Sequence, residues 1–375
     1  MIFLLKQVVQ WLAGSGPVGL RPFDQICAGR GEAGGVHRPE SFCGEILQVP
    51  ADTCGYKVSP SLLGQNPQPE PLEGRSRYRR DGLALSPYRR LLSLTDARVA
   101  GADAVVCCPQ QRLAVAETVR QWNLPATRHP LLASPRFPSP QILPGLTLSL
   151  GTLDGGGFYH FLLESLPRLR LAQPWLGRVD HFLANGAAGG FQELWLARAG
   201  VPVGKIIWLN GHSHYACEQI LFTNALCHDS QPTPWLIGAI REVLDTPLAV
   251  RPGNRKIWIS RTDAGSRHLA WECDLLARLD GFERVELARL SPLEQMQLMA
   301  EAGMVAGPHG AGLSNLIFCA PGTQVVELLP DNRHRPLFAR LAAAAGCAHA
   351  WAAVDFAQTP ASCDELASRI RSIAA

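Results

Sequence analysis

The sequence predicts an α/β protein of two domains, the second built on a parallel, doubly wound sheet. Three observations carry that expectation. From Lys256 onward, short apolar strands alternate with helical segments, the pattern of parallel strands joined by helical crossovers. Within that series, Met304-Val305-Ala306 runs into Gly307-Pro308-His309-Gly310-Ala311-Gly312-Leu313-Ser314-Asn315, a glycine turn between a buried strand and a helix. The chain has 375 residues and is 47% hydrophobic, enough to bury two cores of ordinary size.

Taken in order, Met1 to Ala13 is apolar but interrupted by Lys6, Gln7 and Gln10. It is too short to span a bilayer, and it lacks the charged start and unbroken apolar core of a signal peptide. It reads as an amphipathic helix packed on the protein, with peripheral membrane contact as the alternative. Residues 1–87 as a whole read as an irregular N-terminal extension, rich in glycine and proline, with an arginine cluster at Arg75, Arg77, Arg79 and Arg80.

A first α/β domain is expected over residues 88–248. Its β-rich start holds Leu91 to Leu94, Ala97 to Val99, Ala104 to Cys107 and Arg112 to Val115, and a further strand covers Thr147 to Leu150. After Gly155-Gly156-Gly157, the apolar spacing from Phe158 to Arg168 predicts a helix with His160 and Glu164 four apart on one face. Then follow a strand from His181, a helix from Gln192, strands from Ile206 and Gln219, and a helix from Trp235 to Leu244. The prolines and glycine between Thr246 and Asn254 mark the junction.

The second domain, residues 249–375, begins with the strand Lys256 to Ser260, ending at Arg261. A helix from Leu269 and a strand from Arg284 follow. Ser291-Pro292-Leu293-Glu294 then supplies a cap, a proline in the first turn and the glutamate of a capping box. Beyond the glycine turn come the strand at Val325, a helix from Pro336, a strand from Ala350 and a last helix from Cys363.

The net charge of +3, without runs of like charge, argues against a nucleic-acid partner. Eleven cysteines without C-x-x-C spacing suit reduced thiols in a cytoplasmic protein. Arginine outnumbers lysine about eightfold, a composition expected of a GC-rich bacterial genome.

Ligands of doubly wound sheets bind at the carboxyl ends of the strands, where Arg261, the glycine turn and Glu327 all fall. A helix start with free N–H groups makes an anion cradle, and glycine lets a phosphate approach the backbone. His309, Gly310, Ala311, Gly312 and Asn315 would line that cradle, while Glu327 would accept hydrogen bonds from ribose hydroxyls. The competing reading is a glycine turn needed only for packing.

Several motifs in series resemble glycosyltransferase family 61. They are Ile259-Ser260-Arg261, Leu290-Ser291-Pro292-Leu293-Glu294-Gln295, the glycine turn, and Val326-Glu327-Leu328-Leu329-Pro330, with Tyr159-His160 and Leu166-Pro167-Arg168 upstream. The resemblance runs from about Gly145 to Pro330. It implies two Rossmann-like domains facing across a cleft (the GT-B type), an activated-sugar donor on the C-terminal domain, and inversion at the anomeric carbon without an essential metal. The chemistry agrees. Arg261 and a helix N-terminus can stabilise a departing diphosphate, and no Asp-x-Asp pair, the usual metal holder for nucleotide sugars, occurs in the chain. An acceptor hydroxyl needs a base, for which His160 and Glu164 are the candidates and His160 the preferred one. Against these stand a core histidine, a solvated helix face and, for Arg261, a structural ion pair.

The expected function is an inverting glycosyltransferase that moves a sugar from a nucleoside diphosphate sugar to a glycan, a lipid-linked glycan or another hydroxyl acceptor. Its setting would be surface polysaccharide (capsule) synthesis in the cytoplasm or at the inner face of the membrane. Rivals are a serine hydrolase built on Gly155-Gly156-Gly157 and Gly211-His212-Ser213-His214-Tyr215, and a nicotinamide enzyme, whose glycines would run G-x-G-x-x-G. A metal site of His212, His214, Cys217, Cys227 and His228 is a third. A nucleotide-sugar-binding protein without turnover is the fourth.

Overall fold

A computed structural model describes residues 19–21, 44–49, 53–55, 60–63, 79–80, 83–85, 89–108, 113–115, 118–119, 139–227, 232–246, 249–330, 336–361 and 363–374. Met1 to Ala13, Arg75, Arg77 and His228 lie outside them. The chain divides into two compact units, Met1–Ala51 with Tyr88–Leu226, and Asp52–Pro87 with Cys227–Ala375.

The first unit holds a mixed sheet. Its order is Gly19–Arg21, Leu113–Val115, Val105–Cys108, Arg89–Ala100, His214–Thr223, Gln141–Ser149, His181–Asn185 and Ile206–Leu209, with Gly44–Val49 also paired to Arg89–Ala100. The last four strands of that order run parallel. From Gln141–Ser149 the chain winds through a helical crossover to His181–Asn185, and through the helix Phe191–Arg198 to Ile206–Leu209. It then returns to the other side of Gln141–Ser149. The carboxyl end of that strand is therefore a topological switch point, where neighbouring connections diverge and leave a crevice.

The second unit is built on a five-stranded parallel sheet, in the order Phe282–Val285, Arg255–Ile259, Ala302–Pro308, Gln324–Pro330, Ala348–Val354. The expected doubly wound pattern is present because each apolar strand is followed by an element whose apolar face covers the sheet. Trp258, Val326 and Ala352 are completely buried in one core with Leu275, Leu366 and Ile370. The helix Pro292–Ala300 starts with the expected capping box: Glu294 N donates to Ser291 Oγ at 3.3 Å and Ser291 N to Glu294 Oε2 at 2.7 Å. The switch point here lies between Arg255–Ile259 and Ala302–Pro308.

Two boundaries differ from the sequence reading. The unit boundary falls between Leu226 and Cys227, ahead of the expected junction near residue 248. The helix Pro234–Val243 belongs to the second unit because Arg241 donates through Nε to Ile317 O at 2.5 Å and through Nη2 to Cys319 O at 2.8 Å. The described stretches within residues 1–87 include paired strands. Gly19–Arg21 and Gly44–Val49 join the first sheet, and Thr53–Gly55, Arg79–Arg80 and Leu83–Leu85 form a small antiparallel sheet. Pro60 to Leu62 cover the free edge of Ala348–Val354, Leu62 N donating to Trp351 O at 2.8 Å. These pairings are made by backbone groups, so side-chain periodicity does not announce them. Among the described residues no helix is long and apolar enough to cross a membrane.

Candidate functional site

In the second unit, Arg261 follows the strand Arg255–Ile259 by two residues, at the switch point. Its guanidinium lies over the Cα of Gly310, so that a side-chain carbon at residue 310 would sit 1.8 Å from Nη1 and 2.5 Å from Cζ. A side chain at 310 would therefore displace the guanidinium. Nη2 donates to Ser266 O at 3.2 Å, while the buried Nε has no partner among the described residues. Burial, followed by the nearby Arg267, lowers the pKa of Arg261 from its ordinary value. Arg267 adopts φ 59°, a left-handed conformation costly for a side-chain-bearing residue. Two like charges in one loop, one with a buried N–H unpaired among the described residues, make a setting that favours an anion. Sequence reading did not single out Arg267; its spacing of six from Arg261 was the available signal.

The loop is braced from behind by Glu272, a buried carboxylate. Trp258 Nε1 donates to it at 2.8 Å, Ser260 Oγ at 2.7 Å and Arg284 Nε at 2.8 Å. Arg284 Nη2 also reaches Thr262 Oγ1 at 2.9 Å, so both neighbours of Arg261 are held.

The glycine turn enters the expected helix as the 3₁₀ segment Ala311–Phe318. Gly307 allows the close approach of two strands, since a side-chain carbon there would lie 2.6 Å from Ile259 O. The N–H groups of Ala311 and Gly312 find no acceptor among the described residues, which leaves two donors at the helix start. Asn315 is completely buried beneath the turn, where Nδ2 donates to Gly312 O at 3.1 Å. It shapes the cradle from below and has no exposed surface with which to line it.

Glu327 also has a different setting from the one expected. It is 1% exposed, and its two oxygens are occupied: Oε1 by His309 Nδ1 and Oε2 by His349 Nε2 at 3.0 Å. Burial would raise its pKa, but the two imidazoles outweigh that and hold the carboxyl below its ordinary value. Burial, with an imidazole on each oxygen, turns the carboxylate inward. His349 was not foreseen; it stands on the neighbouring strand opposite Val325, two residues from Glu327.

In the first unit, the loop after Gln141–Ser149 is clamped from both sides. Asn185 Oδ1 accepts from Thr152 N at 2.8 Å and its Nδ2 donates to Ala102 O at 2.7 Å, while Gln192 Nε2 donates to Gly156 O at 3.0 Å. The following helix starts as α over Phe158–His160, loosens to a π turn over Phe161–Ser165, and resumes as α over Pro167–Ala172. Pro167 has no N–H to donate into the preceding turn, and the five-residue bond from Leu166 N to Phe161 O at 3.1 Å takes up the slack. His160 and Glu164, read from sequence as alternatives, form one unit, with Nδ1 and Oε1 3.0 Å apart. Thr152 Oγ1 donates to the other oxygen of Glu164 at 3.1 Å, and the carboxylate is 2% exposed. A carboxylate accepting the Nδ1 proton leaves Nε2 as the nitrogen that can take a proton. Arg168 anchors the turn by donating through Nε to Glu164 O at 2.9 Å.

Among the described residues, the hydrolase and metal rivals do not assemble. Ser213 Oγ accepts from Asn210 N at 2.9 Å and leads into a strand, where a nucleophile elbow requires a helix. His214 and Cys217, three apart on that strand, point to opposite faces. Among the described residues no group of three His, Cys, Asp or Glu side chains is placed to hold a metal ion.

Residues 158–326, which span both clusters, match the family model described as Glycosyltransferase 61. A stretch of 52 residues is 40% identical to the Beta-1,2-xylosyltransferase RCN11 of Oryza sativa subsp. japonica. That stretch is 14% of this chain and 10% of the rice protein.

Proposed function

We propose, from the premise that residues 158–326 place this chain in glycosyltransferase family 61, that it transfers a sugar from a nucleoside diphosphate sugar to a hydroxyl acceptor with inversion. The observation that carries the reading is Arg261 against Gly310: a half-buried guanidinium with an unpaired Nε, beside a helix start, at the switch point of a parallel sheet. Diphosphate satisfies all of these groups at once. Arg267 adds a second charge from the same loop.

The acceptor oxygen attacks the anomeric carbon as the bond from that carbon to the diphosphate oxygen breaks. The electron pair leaves on the diphosphate, toward Arg261 and the N–H groups of Ala311 and Gly312. The acceptor proton passes to Nε2 of His160, and Glu164 stabilises the resulting imidazolium. A single displacement inverts the centre. In this reading the cationic loop takes the part of a metal ion, the GT-B arrangement brings donor and acceptor together, and the setting is cytoplasmic synthesis of a surface polysaccharide.

The alternative of a donor-binding protein without turnover has no use for the His160–Glu164 pair, whose geometry suits proton transfer. Thermal shift across a panel of nucleotide sugars, with a xylose donor included because of the rice relative's name, identifies the donor through stabilisation by mass action. Transfer or hydrolysis of the hit supports the enzyme. A folded protein stabilised by none of the panel would overturn the proposal.

A further inference from the structure

Glu327 lies at the centre of a buried chain, His349 to Glu327 to His309. A buried carboxylate is costly unless it is hydrogen-bonded, and here both oxygens are bonded to imidazoles on neighbouring elements. The Nδ1 of His349 is buried without a partner among the described residues. His349 therefore meets Glu327 through Nε2 and forms the inner end of the chain. At the outer end, His309 donates Nδ1–H to Glu327, its ring packs edge-on against Phe338 at 5.1 Å, and its backbone N donates to Leu328 O at 2.8 Å. The ring is held on three sides. Its Nε2 makes no hydrogen bond among the described residues, and the next residue is Gly310, against which Arg261 lies.

We infer that Glu327 and His349 are positioning residues that fix His309 with Nε2 presented to the departing diphosphate. The inference rests on the reading of the Arg261–Gly310 turn as the diphosphate site. It assigns Glu327 to the phosphate end of the donor and not to the ribose. A carboxylate that is 1% exposed, with an imidazole on each oxygen, presents no surface to a sugar hydroxyl, whereas one bonded to Nδ1–H fixes both the tautomer and the direction of the imidazole.

The test is calorimetry with inorganic pyrophosphate on the full chain, comparing wild type with Arg261→Ala, Glu327→Gln, His309→Asn, and the Glu327→Gln/His309→Asn double variant. Glu327→Gln and His309→Asn should each weaken binding by about tenfold, the scale of one charge-assisted hydrogen bond. The double variant should bind no more weakly than His309→Asn alone, because Glu327 acts through the imidazole. A purely structural carboxylate would weaken binding equally in both backgrounds, and additive losses overturn the inference. Should Glu327→Gln fail to fold, His349→Gln carries the same comparison: a smaller loss that disappears in the His309→Asn background supports the chain, and a persistent one refutes it. Binding that is lost in Arg261→Ala but intact in folded Glu327→Gln overturns this inference alone. Absence of pyrophosphate binding by wild type removes the diphosphate site and this inference with it.

Discussion

The guanidinium of Arg261 occupies the space that any side chain at Gly310 would need, with Nη1 only 1.8 Å from where a Cβ would be. The two residues lie at the ends of neighbouring parallel strands, so a glycine in one motif and an arginine in another are a single device. Gly310→Ala should therefore act like Arg261→Ala, by displacing the guanidinium and not by obstructing phosphate directly. Each should reduce the affinity for the donor's nucleoside diphosphate by roughly 1.5–3 kcal/mol, the worth of a charge-assisted hydrogen bond. Calorimetry on the double variant should show no further loss. Full additivity would mean that the glycine has a separate role.

His160→Ala should lower transfer by roughly 10²–10⁴-fold, the usual contribution of a general base, with donor affinity nearly unchanged. Glu164→Gln should cost less, because the histidine keeps its place while losing a charged partner. Since the two share a hydrogen bond at 3.0 Å, the double variant should be no slower than His160→Ala. Near-normal turnover in His160→Ala, with Glu164→Gln inactive, would make the carboxylate the base.

Turnover should survive EDTA, because the charge that a metal would supply is assigned to Arg261, Arg267 and two backbone N–H groups. Activity abolished by chelation and restored by magnesium or manganese would refute the metal-independent mechanism.

Acid stability should report on Glu327. Its folded-state pKa is depressed, so folding favours the deprotonated form, and the stability it contributes is fully present above the unfolded carboxylate value of about 4.3. That contribution is lost as pH falls through the lower, folded pKa. In thermal melts from neutral pH down to about pH 3, wild type should lose more stability than Glu327→Gln, which has no such proton to bind. Parallel curves would show that the carboxylate is not linked to folding.

Glu272 should matter for stability ahead of chemistry. Replacing it with leucine leaves Trp258 Nε1 buried without its acceptor, at roughly 1–3 kcal/mol for an unsatisfied group, and removes the acceptor of Ser260 Oγ, which keeps Thr262 as a partner. Urea unfolding of Glu272→Leu should show a lower midpoint with little change in slope. An unchanged midpoint would mean that the loop finds other partners.

By itself the sequence determined the alternation of strands and helices in the second unit, because a strand buried on both faces must be apolar and a helix over it must be amphipathic. It also determined the capped start of the Pro292 helix, the glycine turn, and the nearness of His160 to Glu164, since each depends on residues within a few positions of one another. Only the tertiary structure decided what rests on backbone pairing or distant contact. Residues 19–21 and 44–49 enter a sheet through backbone hydrogen bonds that leave no mark on side-chain periodicity. Arg241 carries its helix to the second unit through two carbonyls more than seventy positions away. Glu327 was read as late in its strand and given to a ribose, whereas it stands at the middle of Gln324–Pro330, and nothing local shows that His309 and His349 arrive from a turn and an adjacent strand to bond both of its oxygens.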